Sequence, residues 1–115
     1  MKKIACIIPA FNEASRIGKV ISLAVSHPLI NEVIVVDDGS SDGTKDVASA
    51  FEKARVISFP VNKGKSLAVQ AGILASESEY ILFLDADLEG LTLENITELI
   101  EPILLGNADV TMSLR

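Results

Sequence analysis

The sequence predicts an α/β fold, a mainly parallel sheet layered between helices. Two observations carry this. First, apolar runs of strand length alternate with segments of helical periodicity along the whole 115-residue chain. That alternation implies parallel strands joined by right-handed crossovers. Second, residues 4–8, 33–36 and 80–84 are continuous apolar runs, the pattern of strands covered on both faces.

The elements follow in order. Residues 4–8 make the first strand, closed by Pro9. Ile17, Val20, Ile21 and Ala24 then recur at helical spacing, with Asn12 read as an N-cap, a ligand contact or both, and Glu13 favourable in the first turn. Residues 33–36 are a second, β-branched run, ended by Asp37-Asp38-Gly39-Ser40. Val47, Ala50 and Phe51 mark a second helix, with Asp42 as its cap. Residues 55–59 alternate polar and apolar, as an edge strand does, and Pro60 ends them. Leu67, Ala71 and Leu74 mark a third helix, and residues 80–84 form the third fully apolar strand. Ile96, Leu99, Ile100, Ile103 and Leu104 then outline an amphipathic helix. Thr92 is its predicted N-cap, Pro102 should kink or shorten it, and Gly106 should stop it. Residues 108–112 read as a last strand.

Composition narrows the function. Residues 1–115 suffice for one domain with a real core. An apolar fraction of 49% with 23% charged residues fits a soluble globular chain. The formal net charge of -6 argues against nucleic acid as a partner, which would call for a basic face. The single cysteine, Cys6, lies in the first apolar run and reads as a small buried hydrophobe. Met1-Lys2-Lys3 resembles the start of a signal peptide, but Pro9 and Asn12 interrupt the apolar stretch too early. The expected location is cytoplasmic, or peripheral to a membrane through a partner or further segment.

Four polar clusters each follow the carboxyl end of a strand: Pro9-Ala10-Phe11-Asn12-Glu13, Asp37-Asp38-Gly39-Ser40, Asn62-Lys63-Gly64-Lys65 and Asp85-Ala86-Asp87. In a parallel sheet these loops open on one edge, where α/β folds bind ligands. Two carboxylates one residue apart suit either a cap or a hard cation, and Mg²⁺ takes one or two carboxylates plus substrate phosphates. Asp38 offers an acceptor for the N–H groups of uracil or guanine. Lys63 and Lys65 flank Gly64 where a helix opens, a setting that favours anions. Full P-loop spacing is absent. On the far edge, Ser76-Glu77-Ser78-Glu79 reads as an ordinary solvated turn, and His27 and Tyr80 read as structural.

Together these residues resemble family 2 glycosyltransferases, in their nucleotide-sugar-binding, Rossmann-like GT-A half, with dolichyl-phosphate-mannose-synthase-like enzymes among the nearer relatives. The resemblance runs through Ile7-Ile8-Pro9-Ala10-Phe11-Asn12-Glu13, Val35-Val36-Asp37-Asp38-Gly39-Ser40-Ser41-Asp42-Gly43-Thr44, Asn62-Lys63-Gly64-Lys65 and Leu84-Asp85-Ala86-Asp87. It implies that Pro9, Ala10, Phe11 and Glu13 line a base and ribose pocket. Asp38 would read the base of a UDP- or GDP-linked sugar, with Asp37 beside it. Asp85 and Ala86 would lie against the donor, and Asp85 and Asp87 would hold Mg²⁺ or Mn²⁺ on its diphosphate, with Lys63 and Lys65 nearby. It also implies inverting transfer to an acceptor, a lipid phosphate being one class, and the strand order three-two-one-four.

The resemblance further implies that the catalytic base lies in an acceptor-binding half beyond this sequence. Among residues after Asp87, Glu89 and Glu94 are the base candidates present, though neither matches the family's base motif. The chain is therefore expected to bind donor but to transfer poorly alone, and to self-associate or take a partner supplying that half. Two alternatives are a nucleotide-binding or self-assembling module without chemistry, and a phospho-receiver domain. A receiver would carry acidic residues after its first strand, where Pro9-Ala10-Phe11 stand. A dinucleotide-binding dehydrogenase would carry a Gly-x-Gly-x-x-Gly turn there.

Overall fold

The computed structural model describes residues 3–106 and 110–111. The elements run β1 (Ile4–Ala10), α1 (Ile17–Ser26), β2 (Glu32–Asp37), α2 (Thr44–Ser49), β3 (Ala54–Ser58), α3 (Lys65–Ala75), β4 (Tyr80–Phe83), α4 (Leu93–Leu104) and β5 (Val110–Thr111). The strands form one sheet in the order β3-β2-β1-β4-β5, parallel at every pairing. The expected order of the first four strands is met, and β3 lies at an edge. The topology reverses between β1 and β4, which makes that gap the switch point where α/β sheets open a ligand crevice.

Strand alternation divides the core. Ile4, Cys6, Ile8 and Ala10 of β1 and Val33 and Val35 of β2 face the apolar sides of α1, α2 and α4. Ile34 and Val36 point to the opposite face, against Ala68 of α3. Successive side chains thus enter different layers, and the central strands are apolar throughout because both layers are helical. Burial pushes the Cys6 thiol pKa far up, leaving an inert core residue.

Several local expectations change. β1 runs through Pro9 to Ala10 rather than stopping at Pro9. The carbonyls of Ile4 and Ala10 accept bonds from Asn31 and Asp38 on the β2 side, and that of Ile7 from Leu84 on the β4 side. Alternation therefore turns Pro9 toward β4, beyond the last paired residues Ile7 and Phe83, so its lack of an N–H costs no ladder bond. Asn12 does not cap α1: it sits at φ 54 and binds the second loop, while Arg16 occupies the N-cap without a side-chain bond. Asp42 is not the N-cap of α2 either: Gly43 holds that position without a side-chain bond, and the Asp42 carboxylate, one residue earlier, accepts the N–H of Thr44 at 3.0 Å. Its carboxyl pKa is lowered chiefly by the bond from the Thr44 hydroxyl.

α4 is built as expected at both ends. Thr92 and Asn95 form a reciprocal capping box, and Gly106 at φ 77 donates back to Ile103. The helix nonetheless continues through Pro102 to Leu104. The predicted last strand is seen as Val110–Thr111, and its remaining positions lie outside the described residues. The far-edge turn is more than a solvated loop: the Glu32 carboxylate accepts from Ser78 Oγ at 2.5 Å and from the Glu77 N–H at 3.0 Å.

Two stability predictions arise here. A Cβ on Gly72 would stand 2.6 Å from Ile7 Cγ2, and Ile7 is fully buried in the central strand. Gly72→Ala gains about 1 kcal/mol of helix propensity but overpacks the α3–sheet contact by about 1–3 kcal/mol. Net destabilisation is expected, read as a lower urea midpoint.

His27 is 4% exposed. Its Nδ1 accepts the Leu29 N–H at 3.1 Å, so Nε2 carries the proton and donates to Thr97 Oγ1 at 2.8 Å. Burial lowers the His27 pKa below 6.5, with a weaker opposing pull from the Leu93 carbonyl. The unfolded chain therefore takes up a proton before the folded one does as pH falls. Stability from this group is full above about pH 6.5 and declines as pH drops from there toward the folded pKa. Urea midpoints between about pH 7.5 and 5.5 should show this fall, and His27→Gln should flatten it.

Candidate functional site

The four loops at the carboxyl edge are tied to one another in series. The first binds the second: the Asn12 N–H donates to Ser40 Oγ at 2.9 Å, and Asn12 Oδ1 accepts from the Ser41 N–H at 2.9 Å. Two further ties come from the Glu13 N–H to Thr44 Oγ1 and from the Ala14 N–H to Asp42 Oδ2. The left-handed conformation of Asn12 permits this cross-bonding, and asparagine tolerates it better than most residues. The second loop packs on the third so closely that a Cβ on Gly39, at φ 70, would lie 2.4 Å from Asn62 N. Only glycine meets both demands there.

The adjacent aspartates do different work. Asp37 turns back into the fold and accepts from the Ser40 N–H at 3.1 Å and from Ser58 Oγ at 3.0 Å. Asp38, 4% exposed, clamps the third loop. Its Oδ1 accepts the Lys63 N–H at 2.7 Å, and its Oδ2 accepts the Gly64 N–H and Asn62 Nδ2, each at 3.0 Å. The fourth loop joins through an ion pair of 2.7 Å between Lys65 Nζ, on the first residue of α3, and Asp85 Oδ1.

These ties enclose a cleft of about 240 Å³ lined by Pro9, Ala10, Phe11, Glu13, Asp38, Lys65, Ala68, Asp85, Ala86 and Asp87. It lies at the switch point, and it unites residues from all four loops. Asp37 and Lys63 are not among its lining: Asp37 is buried behind it, and Lys63 Nζ lies 5.1 Å from the centre of the Phe59 ring. Glu89 lines a separate cleft formed with α1, and the exposed Glu94 lies in the first turn of α4, so neither base candidate reaches this cleft. Ala68 was not foreseen. Its signal is the i, i+3 relation to Lys65, which puts both on one helix face.

The cleft's charge is lopsided. Glu13 is paired with Arg16 at 2.6 Å, Asp38 holds backbone amides, and Asp85 holds Lys65. Asp87 is exposed and makes no hydrogen bond or ion pair among the described residues. Four carboxylates face one ammonium, so an anionic ligand would be repelled unless a cation came with it. No group of three or more His, Cys, Asp or Glu able to hold a metal exists among the described residues. The donor set therefore fits a hard cation that takes Asp85 and Asp87 and draws its other oxygens from a ligand.

Comparison with known proteins identifies the family. The family model for glycosyl transferase family 2 matches residues 5–115. A human dolichyl-phosphate β-glucosyltransferase is 37% identical over 101 aligned positions, covering 75% of this chain and 31% of that protein. A poly-β-1,6-N-acetyl-D-glucosamine synthase from Staphylococcus epidermidis is 33% identical, covering 73% of this chain and 21% of that protein. Among solved structures, glucosyl-3-phosphoglycerate synthase from Mycobacterium tuberculosis superimposes with a TM-score of 0.80 at 32% identity. That match covers 91% of this chain and 40% of the synthase, whose structure holds Mn²⁺, UDP-glucose and phosphoglyceric acid. The chain spans about a third of the length of the first curated relatives it matches. With the sheet order, the four tied loops and the family match in agreement, this chain belongs to glycosyl transferase family 2.

Proposed function

We propose that this chain is the donor-binding domain of an inverting glycosyltransferase, holding a UDP-linked sugar with a divalent cation for transfer to a phosphate-bearing acceptor. The carrying observation is the gathering of Pro9, Ala10, Phe11, Glu13, Asp38, Lys65 and the Asp85-Ala86-Asp87 turn in one cleft at the switch point. Phe11, 47% exposed at its mouth, gives a base an aromatic face to lie on. Asp38 spends three of about four acceptor sites on the third loop, leaving one for a base N–H. Asp37 and Lys63 support this arrangement from behind. Asp87 and Asp85 would hold Mn²⁺ or Mg²⁺, whose charge stabilises a departing diphosphate. The bound UDP and Mn²⁺ of the mycobacterial synthase favour UDP over GDP and make Mn²⁺ the first cation to test. The names of the relatives favour glucose as the sugar, and lipid phosphate as the first acceptor class to test. No described helix is long and apolar enough to cross a membrane. A lipid-phosphate acceptor would be met from the cytoplasm, at the membrane surface.

Thermal unfolding with UDP, GDP, ADP or CDP, each with and without Mn²⁺, tests the reading. UDP with Mn²⁺ at a hundredfold over its Kd should add about 2.7 kcal/mol, and UDP without metal should add little. Asp87→Asn should leave the free domain within about 0.5 kcal/mol of wild type, because its side chain is exposed and has no partner among the described residues. It should abolish the metal-dependent gain. Equal stabilisation by ADP and UDP would refute base reading at Asp38, and metal-independent stabilisation would refute the cation's role.

A further inference from the structure

The ion pair between Lys65 and Asp85 crosses the cleft where the cation is expected. Lys65 Nζ stands 2.7 Å from Asp85 Oδ1, with the lysine side chain 56% exposed and the aspartate 15% exposed. Asp87, two residues on, has no such partner among the described residues. The protein thus neutralises one carboxylate of the pair and leaves the other open. A lysine ammonium on a flexible stem is easily moved, and an ion pair this exposed is weak, about 0.2–1 kcal/mol.

We propose that Lys65 is a displaceable counter-ion, a deepening that rests on the donor-binding reading above. In the free chain it holds Asp85 in place and limits repulsion among the cleft carboxylates. A divalent cation at Asp85 and Asp87 would displace it, because two positive charges held beside one carboxylate repel each other. The freed ammonium stays beside α3's first turn, where it can donate to the incoming diphosphate. Metal alone must therefore evict Lys65 with no compensation. Metal together with a diphosphate returns the lost ion pair as a new one. The two ligands are coupled, and Lys65 is the positioning residue that couples them.

Mn²⁺ binding followed by electron paramagnetic resonance, with no nucleotide present, tests the displacement directly. Lys65→Met keeps the apolar stem and removes the charge. It should tighten Mn²⁺ alone by up to about fivefold, the size of the lost competing pair. The same variant should weaken UDP in saturating Mn²⁺ by about ten- to a hundredfold, the loss of a hydrogen bond to a charged group. Lys65→Arg keeps the charge and should track wild type in the metal-only titration. Weaker or unchanged Mn²⁺ binding in Lys65→Met would overturn the proposal, since a merely supportive lysine leaves Asp85 no better a ligand when removed. Equal shifts in the Met and Arg variants would overturn it as well. Failure of wild type to bind UDP would instead count against the donor reading, and the metal-only titration would still report on Lys65.

Discussion

Titrated with UDP-glucose and Mn²⁺, the purified chain should bind its donor yet transfer glucose about 10²–10⁴ times more slowly than a positioned general base allows. The reason lies in the cleft's carboxylates. Glu13 is held by Arg16, and Asp38 by three donors of the third loop. Asp85 and Asp87 are assigned to the cation. Glu89 and Glu94 lie outside the cleft. No carboxylate lining the cleft is left to take a proton from an acceptor hydroxyl or phosphate, and the chain covers only 31% of its human relative. An unoriented acceptor costs still more, since effective molarities for well-placed reactants reach about 10⁵–10⁸ M. The check is donor affinity and transfer measured side by side, with dolichyl phosphate and 3-phosphoglycerate as acceptors. Efficient turnover would require a base among the residues given other roles, and Glu13→Gln and Glu89→Gln would be the first variants to locate it. The result also separates a transferase domain from a module that binds nucleotide without chemistry: slow donor hydrolysis that depends on Mn²⁺ is expected of the former.

Asp38→Ala should be the most destabilising substitution in the cleft, costing about 2–4 kcal/mol. Its carboxylate is buried and accepts from Lys63 N, Gly64 N and Asn62 Nδ2. Hydrogen bonds to a charged group contribute about 1.5–3 kcal/mol each, and their losses do not add in full where water can reach the freed donors. Chemical denaturation measures the loss. Nucleotide selectivity should fall with it, because the third loop that leads into α3 is no longer held. Asp87→Asn, in the same cleft, should show the opposite pattern, with binding lost and stability kept. If Asp38→Ala were as stable as wild type, the clamp would be energetically idle and Asp38 free to serve the ligand alone.

Much of this was legible in the sequence. Continuous apolar runs marked strands covered on both faces, and the punctuation after each run marked the loops of the ligand edge. Periodicity and turn chemistry act over a few residues, so they can be read from a few residues. Thr92 as a cap and Gly106 as a stop are decided within one helical turn, and both hold. The gathering of Pro9, Asp38, Lys65 and Asp87 followed from parallel topology, which sends alternate loops to one edge.

What the tertiary structure alone decided was which of several chemically equivalent residues faces the ligand. Asp37 and Asp38 are neighbours of identical chemistry, yet strand alternation turns one to Ser58 and the other to the third loop. Asn12 has the side chain of a cap, but a left-handed backbone and the nearness of Ser41 use it across loops instead. Lys63 and Lys65 differ by two positions, and the start of α3 sends only the second toward Asp85. Gly39 and Gly72 mark contacts with partners 22 or more residues away, Val61 and Ile7. Such contacts depend on packing between segments distant in the chain, and local sequence carries no information about which partner will be met.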